Sequence, residues 1–187
     1  ASINDKTKDV KLVSVYRDTY LDNTNGEYRK ATECYFYGGP TRSISMLNKN
    51  LDLDIQDYVT VDFNVVADVV DAIGGVEIDV QQDEIQWLNG YQTEGSQVTG
   101  KEIVEVTQAG PQTLNGLQTL SYCRIRYTAS LDMGRTERQR KVIQMIVDKA
   151  KSAGLSTIFK IMDDLFPMVT TSMDKTEILQ MLPTLIG

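Results

Sequence analysis

Residues 57–80, DYVTVDFNVVADVVDAIGGVEIDV, carry the pattern that decides the fold class. DYVTVDF (57–63) reads as a strand because β-branched and aromatic residues dominate it. NVVADVVDAIGG (64–75) places Val65, Val66, Val69, Val70 and Ile73 at helical spacing, and its glycines close the helix. VEIDV (76–80) is the next strand. Upstream, VKLVSVYRD (10–18) reads as a buried strand with Arg17 and Asp18 at its C-terminal end, where open α/β sheets bind ligands. Residues 21–29 are a polar loop, 31–37 a short helix or irregular turn ended by Gly38, Gly39 and Pro40, and 41–50 a helix. Downstream, 81–112 is a polar excursion with a hairpin and weak strand signals at 85–88 and 102–107. Helices are predicted at 115–123, 134–152, 155–166 and 174–185, the last capped by Asp174, with an extended piece at 168–171. There are no repeats or linkers. The alternation predicts one α/β domain over 1–187, three-layer α-β-α with a central mixed sheet and flanking helices.

Five arginines lie within the seventeen positions from Arg124 to Arg140, in a chain of net charge −7. At about 100° per residue, the helix over 134–152 gathers Val142, Ile143, Ile146, Val147 and Ala150 on one stripe. Arg135 and Gln139 fall on that stripe one turn earlier, whereas Arg138 and Arg140 fall outside it. Glu137, Lys141, Gln144 and Asp148 take the solvated arc. Arg124 and Arg126 share a face if their segment is extended. Guanidinium groups recognise phosphate bidentately, and a helix N-terminus adds backbone N–H donors, so the cluster predicts an anion site. The alternative is a structural network with some of the 26 acidic residues.

The composition, 41% hydrophobic and 24% charged, is that of a folded globular chain. An acidic chain lacks the basic surface of a nucleic-acid binder. Without histidine, histidine triads, histidine bases and His-ligated metals are excluded, and acid–base work falls to carboxylates. Cys34 and Cys123 are too few for a cysteine zinc site; they are either one disulfide or two buried thiols. No apolar run approaches the roughly 20 residues of a spanning helix. The chain opens on Ala1, which suggests a processed or trimmed form.

Five ordered blocks carry a resemblance. They are VSVYRDTYL (13–21), KATECYFYGG (30–39), DYVTVDF with DAIGGVEIDV, LNGLQTLSYCRIRY (114–127) and GRTERQRKVI (134–143). Together they resemble the LytR-CpsA-Psr family of Gram-positive bacteria over about residues 10–150. Tyr16 stands where that family has proline, and Thr32 with Glu33 where it has smaller or amide residues.

The resemblance implies a cell-envelope phosphotransferase. It would move a glycopolymer, such as wall teichoic acid or capsule, from a polyprenyl-pyrophosphate carrier to peptidoglycan. The family's pyrophosphate-binding arginine falls on Arg17, its Arg-x-Arg pair on Arg124 and Arg126, its last arginine and following glutamine on Arg135 and Gln139, and its acidic residue on Asp132. Catalytic roles are thereby expected for Arg17, Arg124, Arg126 and Asp132, with Asp18 a second carboxylate to consider. Mg2+ or Mn2+ is expected, its ligands upstream of this chain, where the family has a further strand, a membrane helix and a cytoplasmic tail. That anchor would place the domain on the extracellular face of the membrane. Val66, Val70, Met145, Phe159, Met162 and Phe166 are candidates for a polyprenyl tunnel or plain core. Tyr35 and Tyr37 would line its mouth or merely pack. Rival readings are a lipid-binding module without turnover, a pyrophosphatase on the same lipid and, last, a transcriptional attenuator.

Overall fold

The computed structural model describes residues 1–4, 6–126 and 131–186, with the side chains of 131–133, 155, 183, 185 and 186 excepted. The chain is mixed α/β, as the alternation indicates, and its described strands form four two-stranded antiparallel pairs. It divides into two compact units, residues 1–60 with 170–187, and residues 61–169.

In the first unit β1 (Ser2–Asn4) pairs with β2 (Asp9–Lys11), and β3 (Tyr20–Asp22) with β4 (Tyr28–Lys30). The strand expected over 10–18 is shorter than its composition suggested. Among the described residues β2 takes in only its start, Val10 and Lys11, and Leu12 and Val13 are exposed by 58% and 79%. A β-branched run becomes a buried strand only where a neighbour satisfies its edge and a layer covers its face. Helix α1 (Ala31–Leu51) bends at Gly39, whose φ of 64° and ψ of −159° suit glycine, and Pro40 follows. The short helix ended by Gly38, Gly39 and Pro40 and the helix that follows it are thus both present, run together across this kink. β5 (Val59–Thr60) pairs with β8 (Thr170–Thr171). Helix α7 (Lys175–Ile186) begins with a reciprocal cap: Asp174 Oδ1 accepts from Glu177 N at 2.9 Å, and Glu177 Oε2 accepts from Asp174 N at 2.7 Å.

The second unit holds the core. Asp62 caps α2 (Phe63–Ala72), accepting from Val65 N at 2.9 Å, and this holds its carboxyl below the usual range. The helix ends at the glycine pair, where Gly75 N donates to Val70 O at 2.8 Å. β6 (Val76–Val80) then buries Val76, Ile78 and Val80 and exposes Glu77 and Asp79, and it pairs antiparallel with β7 (Gly110–Leu114).

The expected hairpin is absent from 81–112, where the structure has α3 (Ile85–Thr99) instead. Its inward amides do the work of a strand. Asn89 Oδ1 accepts from Val106 N and its Nδ2 donates to Val106 O, both at 2.9 Å. Gln92 exchanges the same pair of bonds with Val104, at 3.2 and 3.0 Å. The weak strand signal at 102–107 therefore marks a segment paired to side chains.

α4 (Gly116–Tyr122) starts from a capping box between Asn115 and Gln118. It lies so close to α2 that a Cβ on Gly116 would meet Ala67 O at 2.1 Å. α5 (Leu131–Ala153), α6 (Leu155–Leu165) and a 3-10 turn (Phe166–Met168) complete the unit. Val70, Ile73, Ile78, Leu88, Leu114, Tyr122, Ile125 and Val142 belong to one core, which removes their apolar area from water.

Candidate functional site

The site is built where α4 ends and α5 packs back. After Tyr122 the chain turns, with Arg124 N donating to Ser121 O at 3.0 Å and Ile125 N to Tyr122 O at 3.3 Å. The Arg-x-Arg pair thus leaves a helix through a turn, and among the described residues it is part of no strand, because the end of α4 keeps its hydrogen bonding for one further turn. Ile125 is fully buried between Arg124 and Arg126, so the two arginines still fall outside the core. Arg124 is half-buried. Its guanidinium lies 5.0 Å from the ring centre of Tyr91 and 5.5 Å from that of Phe63, and its Nη2 is 2.6 Å from Glu94 Oε2. Two rings and a carboxylate therefore restrain it. Arg126 is exposed.

Arg138 is the buried arginine of the cluster, at 8% exposure, and Glu84 beside it is at 4%. Arg138 Nε donates to Glu84 Oε1 at 2.9 Å and Nη1 to Ile125 O at 3.3 Å, while the guanidinium sits 5.7 Å from the Tyr122 ring centre. The other Glu84 oxygen accepts from Gln81 N at 3.0 Å. This corrects the expected face of α5. Val142 is inward as expected, but Ile143 and Val147 are 45% and 38% exposed, and Gln139 is exposed. The buried arc runs through Arg138 and Val142, rotated by about 60° from the expected one. Gln139 Nε2 donates to Cys123 O at 3.4 Å, and Arg135 is half-buried on the neighbouring turn. Asp132 is within α5, but its side chain lies outside the described residues.

Both cysteines are free thiols. Burial pushes the Cys123 thiol up to about 12, against the opposing pull of Arg138, and pushes Tyr122 to about 12 with help from the Glu84 charge. Cys34 is buried, and its thiol, raised by burial, donates to Asn23 Oδ1.

Arg17 belongs to the first unit. It and Asp18 form the middle of a turn closed by Thr19 N donating to Tyr16 O at 3.0 Å, and their side chains are each 56% exposed. Asp18 accepts from Lys30 at 2.8 Å and lies 3.8 Å from Arg17.

Of the tunnel candidates, Val70 is part of the core itself, and Met145 packs against that core. Val66, Met162 and Phe166 are half-buried, and Phe159 is 46% exposed. Helix α6 packs on both α2 and α5. Tyr35 and Tyr37 are exposed. Among the described residues no group of three or more Asp, Glu or Cys comes together in a way that could hold a metal ion.

Sequence reasoning missed Glu84, Arg138, Tyr91, Phe63 and Glu94. Arg138 had a signal, since it sits one turn before Val142. The others had none, because their partners lie 30 or more positions away.

The LytR_cpsA_psr family model matches residues 1–187. The polyisoprenyl-teichoic acid–peptidoglycan teichoic acid transferase TagT of Bacillus subtilis (strain 168) is 32% identical over 151 residues, 81% of this chain and 44% of its own length. The transferase TagU of Enterococcus faecalis (strain ATCC 700802 / V583), of the same description, is 34% identical over 154 residues, 81% of this chain and 46% of its own. The chain thus spans about half the length of these relatives. A solved structure of the LytR-CPS2A-psr family protein YwtF (TagT) with bound octaprenyl pyrophosphate lipid superposes with a TM-score of 0.72 at 26% identity, covering 99% of this chain and 65% of that chain.

Proposed function

The chain belongs to the LytR-CpsA-Psr family, and on that premise we propose that it is the catalytic part of a phosphotransferase. Its substrate is a glycopolymer on a polyprenyl-pyrophosphate carrier, its acceptor is peptidoglycan, and its product is a phosphodiester. The observation that carries the reading is Arg124, restrained by Phe63, Tyr91 and Glu94 beside the exposed Arg126. Phosphoryl transfer rests on placing positive charge against the phosphoryl oxygens, and a guanidinium that is already oriented has less entropy to lose on binding.

In this reading Arg124, Arg126 and Arg135 meet the pyrophosphate, and Arg17 keeps the phosphate-binding role that its family block implies. Asp132 takes the acceptor hydroxyl's proton. Val66, Met145, Phe159, Met162 and Phe166 offer apolar surface to the polyprenyl chain. Gln139 Nε2 donates one hydrogen to Cys123 O and has a second to offer a phosphate oxygen. Mg2+ or Mn2+ belongs to the proposal as charge neutralisation for the pyrophosphate, with ligands outside the described residues. The polymer is wall teichoic acid or a capsule-type glycan. The domain works on the extracellular face of a Gram-positive membrane, held there by an N-terminal anchor. No helix of the described residues is long and apolar enough to cross a membrane.

The test is Arg124→Ala or Arg126→Ala in the full-length parent. Polymer attachment should vanish while circular dichroism and thermal unfolding show a folded protein. Attachment retained in either folded variant removes that arginine from the site.

A further inference from the structure

Two carbonyls, one on each side of Arg124, are held by consecutive residues of α5. Gln139 donates to Cys123 O at 3.4 Å, and Arg138 donates to Ile125 O at 3.3 Å. Arg138 reaches that carbonyl from a buried position, with Nε committed to Glu84 at 2.9 Å and the guanidinium plane near Tyr122. Glu84 is fixed in turn, because its second oxygen closes the turn at Gln81 N just before α3. The side chains of the pair are only 10% and 6% exposed.

We propose that Arg138 and Glu84 are positioning residues, a buried clasp that sets the 123–126 segment and thereby aims Arg124 and Arg126. The pair is costly as a source of stability, since two buried charges lose their hydration and an apolar pair of similar volume is often as stable. What an apolar pair does not supply is direction. A planar guanidinium with one arm on a carboxylate and another on a backbone carbonyl fixes the distance and angle between α3, α5 and the turn after α4. Arg138 is not itself placed to bind pyrophosphate, because two of its nitrogens face Glu84 and Ile125 O inside the core. The functional consequence rests on the pyrophosphate reading of Arg124 and Arg126, whereas the clasp does not.

The experiment uses Arg138→Lys in the whole protein with Cys34→Ala, so that Cys123 is the one thiol of this chain. A lysine keeps the charge opposite Glu84 but has no second, rigid arm for Ile125 O. The first readout needs no substrate. Alkylation of Cys123 by N-ethylmaleimide should be about tenfold faster, because a released segment exposes and acidifies the thiol. The second is affinity for polyprenyl pyrophosphate, expected to weaken about tenfold while Tm moves only a few degrees. Should the lysine variant fail to fold, Glu84→Gln with Arg138→Met removes both charges at similar volume and takes the same two readouts. A folded variant with Cys123 reactivity and affinity both unchanged overturns the clasp. Faster alkylation with unchanged affinity upholds the clasp and overturns the pyrophosphate assignment of Arg124 and Arg126.

Discussion

Two groups of arginine, lysine and carboxylate in this molecule use the same chemistry to opposite ends. In the first unit, Arg17, Asp18, Glu27, Arg29, Lys30 and Glu33 gather on the β3–β4 hairpin and the start of α1, and the side chains of their ion pairs are 34–57% exposed. In the second unit, Arg138 and Glu84 are sealed beneath α5. Water screens the first group, and its members can exchange partners at little cost. In the second, the partners are fixed, because leaving either charge alone in the interior is expensive. An arginine kept for reaching a ligand belongs in surroundings like the first, and an arginine kept for holding a shape belongs in surroundings like the second. Arg124, half-buried between two rings, combines the features of both.

This contrast breaks most directly at Arg138. Arg138→Ala strands Glu84 and should cost about 3–5 kcal/mol in urea unfolding, whereas Glu84→Gln with Arg138→Met should cost far less. Equal losses would mean that the pair is held by packing alone. Gly116→Ala tests the floor on which the clasp rests. A Cβ there meets the Ala67 backbone at 2.1 Å, and the strain should cost about 1–3 kcal/mol by the same measurement.

Alkaline titration separates the regions by burial. Tyr122 is raised from 10.0 to about 12, so the folded state keeps a proton that the unfolded state has lost. Its contribution to stability is complete below about pH 10 and is lost as pH rises through about 12. Of the nine tyrosines, Tyr122 should be the late component in a phenolate absorbance titration, and Tyr122→Phe should remove it. Lys30→Ala is the smallest effect. It removes the 2.8 Å contact to Asp18 and should leave stability within about 0.5 kcal/mol of the parent. A larger loss would place the exposed cluster in the same class as the buried one.

The sequence was readable where local rules act alone. Helix α2 with its glycine stop, β6 with its alternation, the start of α4 and the cap at Asp174 all follow from neighbours within four residues. Reading failed where a distant partner decides. Helix α3 was hidden because two glycines and polar residues fill its pattern, and its inward Asn89 and Gln92 meet backbone partners 12–17 positions on. The face of α5 was misjudged for a related reason. Its first half is mostly charged, so the apolar stripe offers no guide there, and an inward arginine is recognisable only once Glu84 is known to lie opposite. Arg124 and Arg126 could be singled out as candidates from the sequence, whereas Phe63, Tyr91 and Glu94, which surround Arg124, could not.

The amide bonds from α3 also bear on how this chain can vary. Surface connections usually absorb insertions with little penalty. Here two side chains one helical turn apart each grip one residue of the 102–107 segment, Gln92 on Val104 and Asn89 on Val106, by donor and acceptor together. A single extra residue between those contacts would leave one amide facing the wrong backbone groups. This stretch, although it looks like a loop, therefore has its length as tightly set as a strand in the middle of a sheet.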